Sequence, residues 1–417
     1  MDKTGHIAIV IGGAVAGSEA AYQLSKKGIT TIVIEKNALP YGKIEDGLPK
    51  WHIKLRNREI DRINQKLNHP LVHYVPNTEL GKTVNLETLL SWGADAIVLA
   101  NGAWKDRPLT LNGIDKFEGK GFYYQNDFIY WFNHQHEPNY KGPQYKIKNN
   151  AIIIGGGLAS IDCAKAIMFH LVNNALNQKG FNTNLFELEH GIPKVLAKYG
   201  VSFEELNIEP CTIYYRKRFK DMSLAPLKGN SAEEIEKAEK TRVKILDHNK
   251  SKFLFKVNAC ASAKEAVIEN NELKGILFNR TMVENGTYEV LDESFAVHSP
   301  FIISSIGSIP EPIKGIIMQN ETYDIDKASY QLKNYNNVYA LGNAVTGRGN
   351  INQSLKNATE VAQIVAANIS DSPPKQSAEK ILKAVQEMQK NVNFVVDYSS
   401  WIAQHQPLRL EDMLEQH

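Results

Sequence analysis

The strongest constraint in this sequence is a strand, Gly-rich turn and helix that occurs twice. The first copy, IAIVIGGAVAGSEAAYQLSKKGITTIVIEK from Ile7 to Lys36, runs from an apolar β-rich segment through a Gly turn and an amphipathic helix into a second apolar strand. The second, NAIIIGGGLASIDCAKAIMFHLV from Asn150 to Val172, repeats the strand, turn and helix order. A chain built on two such units is expected to be α/β, with two Rossmann-like dinucleotide-binding domains.

Three further apolar runs end in Gly turns: DAIVLANGAWKDRP (Asp95 to Pro108), SPFIISSIGSIPEP (Ser299 to Pro312) and NNVYALGNAVTGRGN (Asn336 to Asn350). Buried strands that end in Gly turns suit parallel sheets, whose ligands lie at the carboxyl ends of the strands. Their order along the chain implies interleaving. One domain is expected at residues 1–115 plus 331–417, with the other inserted at 116–330 and decorated by a helical insertion at about 173–209. The charged stretch from Ser231 to Leu246 reads as a solvated helix.

In the first turn, Gly12, Gly13, Ala14, Ala16 and Gly17 stand where a dinucleotide fingerprint needs a tight turn, a close approach to a pyrophosphate and close helix packing. Ala14 occupies the position usually held by the second glycine. Glu35 ends the second strand about 20 residues on, where an acid accepts ribose hydroxyl hydrogen bonds, and Lys36 follows it. An acid there repels a 2′-phosphate, so the first site is expected to hold FAD or NAD. In the second turn, Gly155, Gly156 and Gly157 are followed by Leu158, Ala159 and Ser160, with Ser160 in the place of the third glycine. The next strand, CTIYYRKRFKDM, ends in Arg216, Lys217 and Arg218, which suit the 2′-phosphate of NADP.

Composition removes other classes. A net charge of +2 over 417 residues gives no global field for nucleic acid, and no apolar run approaches a membrane span. Cys163, Cys211 and Cys260 lie far apart, without C-x-x-C or metal-type spacing, so neither a metal site nor a redox dithiol is expected. The opening MDKTGHIAIVIGG enters a strand almost at once, which leads us to expect a cytoplasmic protein without a leader.

Three segments resemble the adrenodoxin reductase and bacterial ferredoxin–NADP reductase family, which is related to the glutamate synthase small subunit. They are GFYYQNDFIYWFNHQHEPNY, with Phe128, Trp131 and Asn133; GGGLASIDCAKAI, with Gly155, Gly157, Ser160 and Asp162; and GNAVTGRGNINQSLKNATEVA. The chain departs from that family's pattern at Ala14, Asn101, Leu158 and Asn343. The resemblance implies FAD in the first domain, with Asn101, Gly102, Gly342, Asn343, Gly349, Asn350 and Ile351 beside it, and NADPH in the inserted domain. It implies that Gly307 closes the strand-end junction between the domains. No side chain is expected to act as a catalytic acid or base, because the flavin carries the chemistry.

The partner implied is an acidic electron carrier, ferredoxin or flavodoxin, or a larger enzyme subunit. Lys50, Lys54, Arg56, Arg58 and Arg62 form a candidate docking face, with a solvated helix face as the alternative. Competing functions are the electron-input subunit of a complex, a flavin monooxygenase or oxidase, and a flavin-binding redox sensor that does not turn over. The F-x-G-x-x-x-H string of the monooxygenases is absent.

Overall fold

The computed structural model describes residues 5–347, 350–370, 378–394 and 396–415. The chain forms two compact units, one running to Lys105 and resuming at Ser308, the other Asp106–Gly307.

The first unit is built on a five-stranded parallel sheet in the order Val338–Ala340, Ala96–Leu99, Ile7–Ile11, Thr30–Ile34, Val72–Val75. Its strands are β-branched and buried on both faces, as a sheet covered by helices requires. Alternate residues serve opposite cores. Ala8, Val10 and Val33 pack with Ala20 and Leu24, Ile60 and Ile63, and Val361 and Val365, from the helices Val15–Ser25, Ile53–Leu67 and Ile351–Ser370. Ile7, Ile9, Ile11 and Ile32 pack on the other side with Leu86, Leu89, Ile316, Tyr323 and Val385. Each fully buried Val, Leu or Ile among them contributes about 1.5–3 kcal/mol.

The second unit repeats the plan with a parallel sheet ordered Phe122–Tyr124, Ile302–Ser305, Ile152–Gly155, Thr212–Tyr215, Lys256–Ala259. An antiparallel meander, Ala261–Glu269, Glu272–Glu284 and Thr287–His298, adds a layer in which Phe278 stacks on Tyr214 with ring centroids 4.3 Å apart. The helix after the second Gly turn is long, Leu158–Gln178, and runs through the start of the expected insertion. Short helices Leu185–Glu189 and Ile192–Tyr199 follow, with Gly191 before the second and Gly200 after it, and bury Leu188, Ile192, Val195 and Leu196. The charged stretch forms the helix Ala232–Phe253, started by a reciprocal Ser231 and Glu234 capping box, and it buries Ala238, Leu246 and Phe253.

The chain crosses between units at 105/106 and 307/308, earlier than the expected 115/116 and 330/331. The reason is packing. Leu109, Leu111 and Ile114 join the core of the second unit, while Ile316, Tyr323 and Ile325 join that of the first.

Candidate functional site

In the first unit the Gly turn meets the start of the helix Val15–Ser25, whose N-cap, Ala14, offers no side-chain hydrogen bond. Asn85 and Ser231, by contrast, cap their helices with their own side chains. An uncapped helix start leaves N–H groups and the positive end of the helix dipole for an anion. Gly17 is required by close approach: a Cβ there would lie 1.7 Å from the Gly12 carbonyl oxygen.

This turn opens on a cleft of about 530 Å³. Of the residues expected at the first nucleotide, Gly12, Ala14, Ala16, Glu35, Lys36, Asn101, Gly102, Asn343, Asn350 and Ile351 line it. Three others stand behind the wall. Gly13 donates its N–H to Glu35 Oε2 at 2.8 Å, Gly17 packs the helix on the turn, and Gly342 donates its N–H to Asn357 Oδ1 at 2.6 Å. Gly349 lies outside the described residues. Asn350 caps the helix Ile351–Ser370 by accepting the Gln353 N–H at 3.0 Å. Asn101 Nδ2 donates to the Tyr323 hydroxyl at 2.8 Å, and Tyr323 donates in turn to the Glu311 carbonyl at 3.1 Å, so the amide is held in one orientation.

Glu35 is 4% exposed, and its Oε1 accepts a second backbone N–H, from Asn37 at 3.0 Å. Burial raises its pKa, and the Gly13 and Asn37 N–H groups offset this only in part. A ribose whose hydroxyls donate to this carboxylate would be held fully above the raised pKa and released as pH falls through it. The ligand-free fold behaves oppositely, because acidification relieves it of a buried charge. We expect FAD titrations followed by flavin fluorescence to show weakening that begins above the ordinary carboxylate range of about pH 4. In Glu35→Gln, affinity should be lower and nearly flat over the same interval.

The cleft also contains residues that the sequence did not single out: Tyr41, Gly42, Lys43, Trp104, the segment Thr78 to Lys82, and Glu311 to Lys314. The periodic strand, turn and helix pattern carries no signal for them, since each comes from a connecting segment after a strand.

In the second unit, Gly157 stands at the N-cap of the helix Leu158–Gln178, again without a side-chain cap. Gly155 closes the preceding strand, and a Cβ on Gly156 would lie 2.2 Å from the Tyr215 ring. Ser160 is buried and its hydroxyl donates to Ser305 Oγ at 3.1 Å, which ties helix to sheet where the third glycine would stand. Ala159 is half-buried and Leu158 is exposed. Gly307 has φ +105°, and its carbonyl accepts the Arg107 N–H at 2.9 Å.

The three basic residues after Tyr215 are not equivalent. Arg218 makes a bidentate pair with Asp221, Nε to Oδ2 at 2.8 Å and Nη2 to Oδ1 at 3.0 Å. Lys217 Nζ donates to the Gly286 carbonyl. Arg216 is exposed, with its guanidinium 5.1 Å from the Tyr288 ring centroid. Of the three basic residues that end the strand, Arg218 is thus neutralised by Asp221, three residues further on.

The candidate docking face is corrected more strongly. Lys50 is 1% and Arg56 2% exposed, and Arg56 pairs with Glu411, so neither can meet a partner. Lys54, Arg58 and Arg62 are exposed, but the two arginines share Glu59, at 3.0 and 2.9 Å. Cys163 and Cys211 are buried, which pushes both thiols up and away from thiolate reactivity; all three cysteines are free. Among the described residues no cluster of three or more His, Cys, Asp or Glu could hold a metal, and no helix is long and apolar enough to cross a membrane.

Comparison with known proteins agrees with this architecture. The chain is 27% identical over 225 residues to the glutamate synthase [NADPH] small chain of Bacillus subtilis, covering 50% of this chain and 44% of that one. It is 24% identical over 288 residues to the mitochondrial NADPH:adrenodoxin oxidoreductase of Arabidopsis thaliana, covering 66% and 56% respectively. The chain therefore spans about half the length of these curated relatives. Among solved structures, FprA from Mycobacterium tuberculosis in complex with NADPH superposes with a TM-score of 0.73 at 17% identity, covering 95% of this chain and 92% of that one, a likeness of fold. Residues 7–367 match the pyridine nucleotide-disulphide oxidoreductase family, and the chain belongs to it.

Proposed function

We propose that this protein is a cytoplasmic, NADPH-dependent FAD oxidoreductase that passes electrons from NADPH through the flavin to a ferredoxin- or flavodoxin-like carrier. The observation that carries this reading is the pairing of two uncapped Gly-turn helices with opposite charge at the following strand ends. One unit presents the buried acid Glu35, the other the exposed Arg216. Opposite charge assigns FAD to the first unit and a 2′-phosphorylated nucleotide to the second.

The residues of the first cleft fit FAD. Glu35 would hold the ribose, the N–H groups of Val15 and Ala16 would meet the pyrophosphate, and the start of the helix at Ile351 would set a positive dipole end near the flavin. When bound, the flavin supplies the hydride and single-electron chemistry. In the second unit the start of the helix at Leu158 would take the NADPH pyrophosphate, and Arg216 the 2′-phosphate. No side chain needs to act as an acid or base. The buried Cys163 and Cys211, their thiols pushed up by burial, and the free Cys260 give no reactive dithiol for the disulphide chemistry in the family's name.

A second reading is the electron-input subunit of a larger complex, favoured by the likeness to a glutamate synthase small chain. The acceptor separates the two. With NADPH as donor, reduction of an acidic ferredoxin or flavodoxin is expected to slow as salt rises, while reduction of a small neutral dye changes little. Lys54→Glu with Arg58→Glu should slow the carrier reaction several-fold and spare the dye. Carrier rates that ignore both salt and charge reversal would favour the subunit reading.

A further inference from the structure

The departure at Ala14 has a structural counterpart. Gly42, at φ +49°, lies against Ala14 so closely that a Cβ on residue 42 would come within 2.8 Å of the Ala14 methyl. The chain thus brings residues 42 and 43 over the start of the first helix. Lys43 follows Gly42 directly, and Lys36 follows the ribose acid Glu35 directly. Both lysines line the cleft, and both reach one indole: Lys36 Nζ lies 4.3 Å and Lys43 Nζ 5.5 Å from the Trp104 ring centroid. Lys43 Nζ also donates to Ser308 Oγ at 3.2 Å.

The two ammonium groups gather on one aromatic ring, whose quadrupole favours cations, and so place paired positive charge in the cleft. Such a cluster favours a multiply charged anion. Its position says which part of a dinucleotide that anion is. One lysine is fixed beside the ribose acid and the other beside the helix start, so the pair brackets the stretch in which a pyrophosphate must lie. We propose that Lys36 and Lys43, seated on Trp104, form a side-chain clamp for the cofactor pyrophosphate, their charge offsetting the closer approach to backbone N–H groups that a glycine at position 14 would allow. This inference rests on the reading of the first cleft as the FAD site.

The test is direct binding to flavin-free protein of three probes, FAD, ADP and adenosine, measured by fluorescence or calorimetry. Lys36→Ala with Lys43→Ala should weaken FAD and ADP by roughly ten- to hundredfold and leave adenosine unchanged, since only the first two carry the pyrophosphate. It should also flatten the salt dependence of ADP binding. Lys36→Arg with Lys43→Arg should restore most of the affinity, and Trp104→Leu should give an intermediate loss. An unaltered thermal melt of the ligand-free variants separates lost charge from lost fold. If the wild type binds FAD and ADP and the double alanine variant binds them within twofold as well, the clamp is overturned while the FAD reading stands. A wild type that binds neither probe overturns both.

Discussion

Gly17→Ala is expected to damage this protein more than any other single added methyl in the first unit. The new Cβ would sit 1.7 Å from the Gly12 carbonyl oxygen and 2.8 Å from its carbon, both backbone atoms that no rotamer change can move aside. The helix Val15–Ser25 must then retreat from the strand Ile7–Ile11, opening the contact that Ala20, Ala21 and Leu24 make with the sheet. Overpacking of this kind costs about 3 kcal/mol. That lowers the melting temperature of the unit by roughly 5–10 °C. FAD retention should fall further, because the displaced helix start is also the proposed pyrophosphate site. Gly157→Ala is the matched control: its Cβ meets nothing within 4 Å and its φ is −108°, so only the N-cap preference for Gly over Ala is lost, about 0.5–1 kcal/mol, and the second unit should melt within about 3 °C of the wild type. Melting curves and flavin content of the two variants, measured side by side, check this expectation.

The difference between those glycines illustrates what was legible in the sequence. The strand, turn and helix order at Ile7 and at Asn150, and the acid at Glu35, follow from spacing, and spacing is local. The sequence marks Gly12, Gly17 and Glu35 because each is needed within one βαβ unit. Burial of a charged residue by a distant segment has no such local signal. Arg56 lies on a helix that reads as solvated, and only Glu411, some 350 residues on, turns it inward. Arg409 does the same for Glu45, another acid of the segment beside the cleft. The unit boundaries were displaced for a related reason. Leu109, Leu111 and Ile114 show neither a helical nor a strand period, so nothing in them says which core they will join. Trp104 and Lys43 are 61 residues apart in the chain, and their meeting is a property of the folded unit alone.

Arg216→Ala is the second change with a large expected effect, and the structure narrows it to this residue. Arg218 is committed to Asp221, and Lys217 to a backbone carbonyl, so their replacement mainly loosens the loop that follows the strand. Arg216 is exposed and sits on the Tyr288 ring, and in the proposed site its guanidinium would meet the 2′-phosphate. An exposed charge-assisted pair with a phosphate is worth about 1.5 kcal/mol, roughly tenfold in affinity. Recognition of the 2′-phosphate is remote from the reacting carbon, so its loss is uniform in ground and transition states. The NADPH Michaelis constant should therefore rise about tenfold, with the maximal rate of flavin reduction nearly unchanged and NADH use unaffected.

Anaerobic mixing of the FAD-loaded protein with NADPH or NADH, followed at the flavin absorbance band, tests the two-nucleotide account most directly. The yellow colour should bleach with NADPH at concentrations where NADH is much slower, and Arg216→Ala should bring the two nucleotides together by weakening NADPH alone. A flavin that neither nucleotide bleaches, or a wild type that uses both equally, would contradict it.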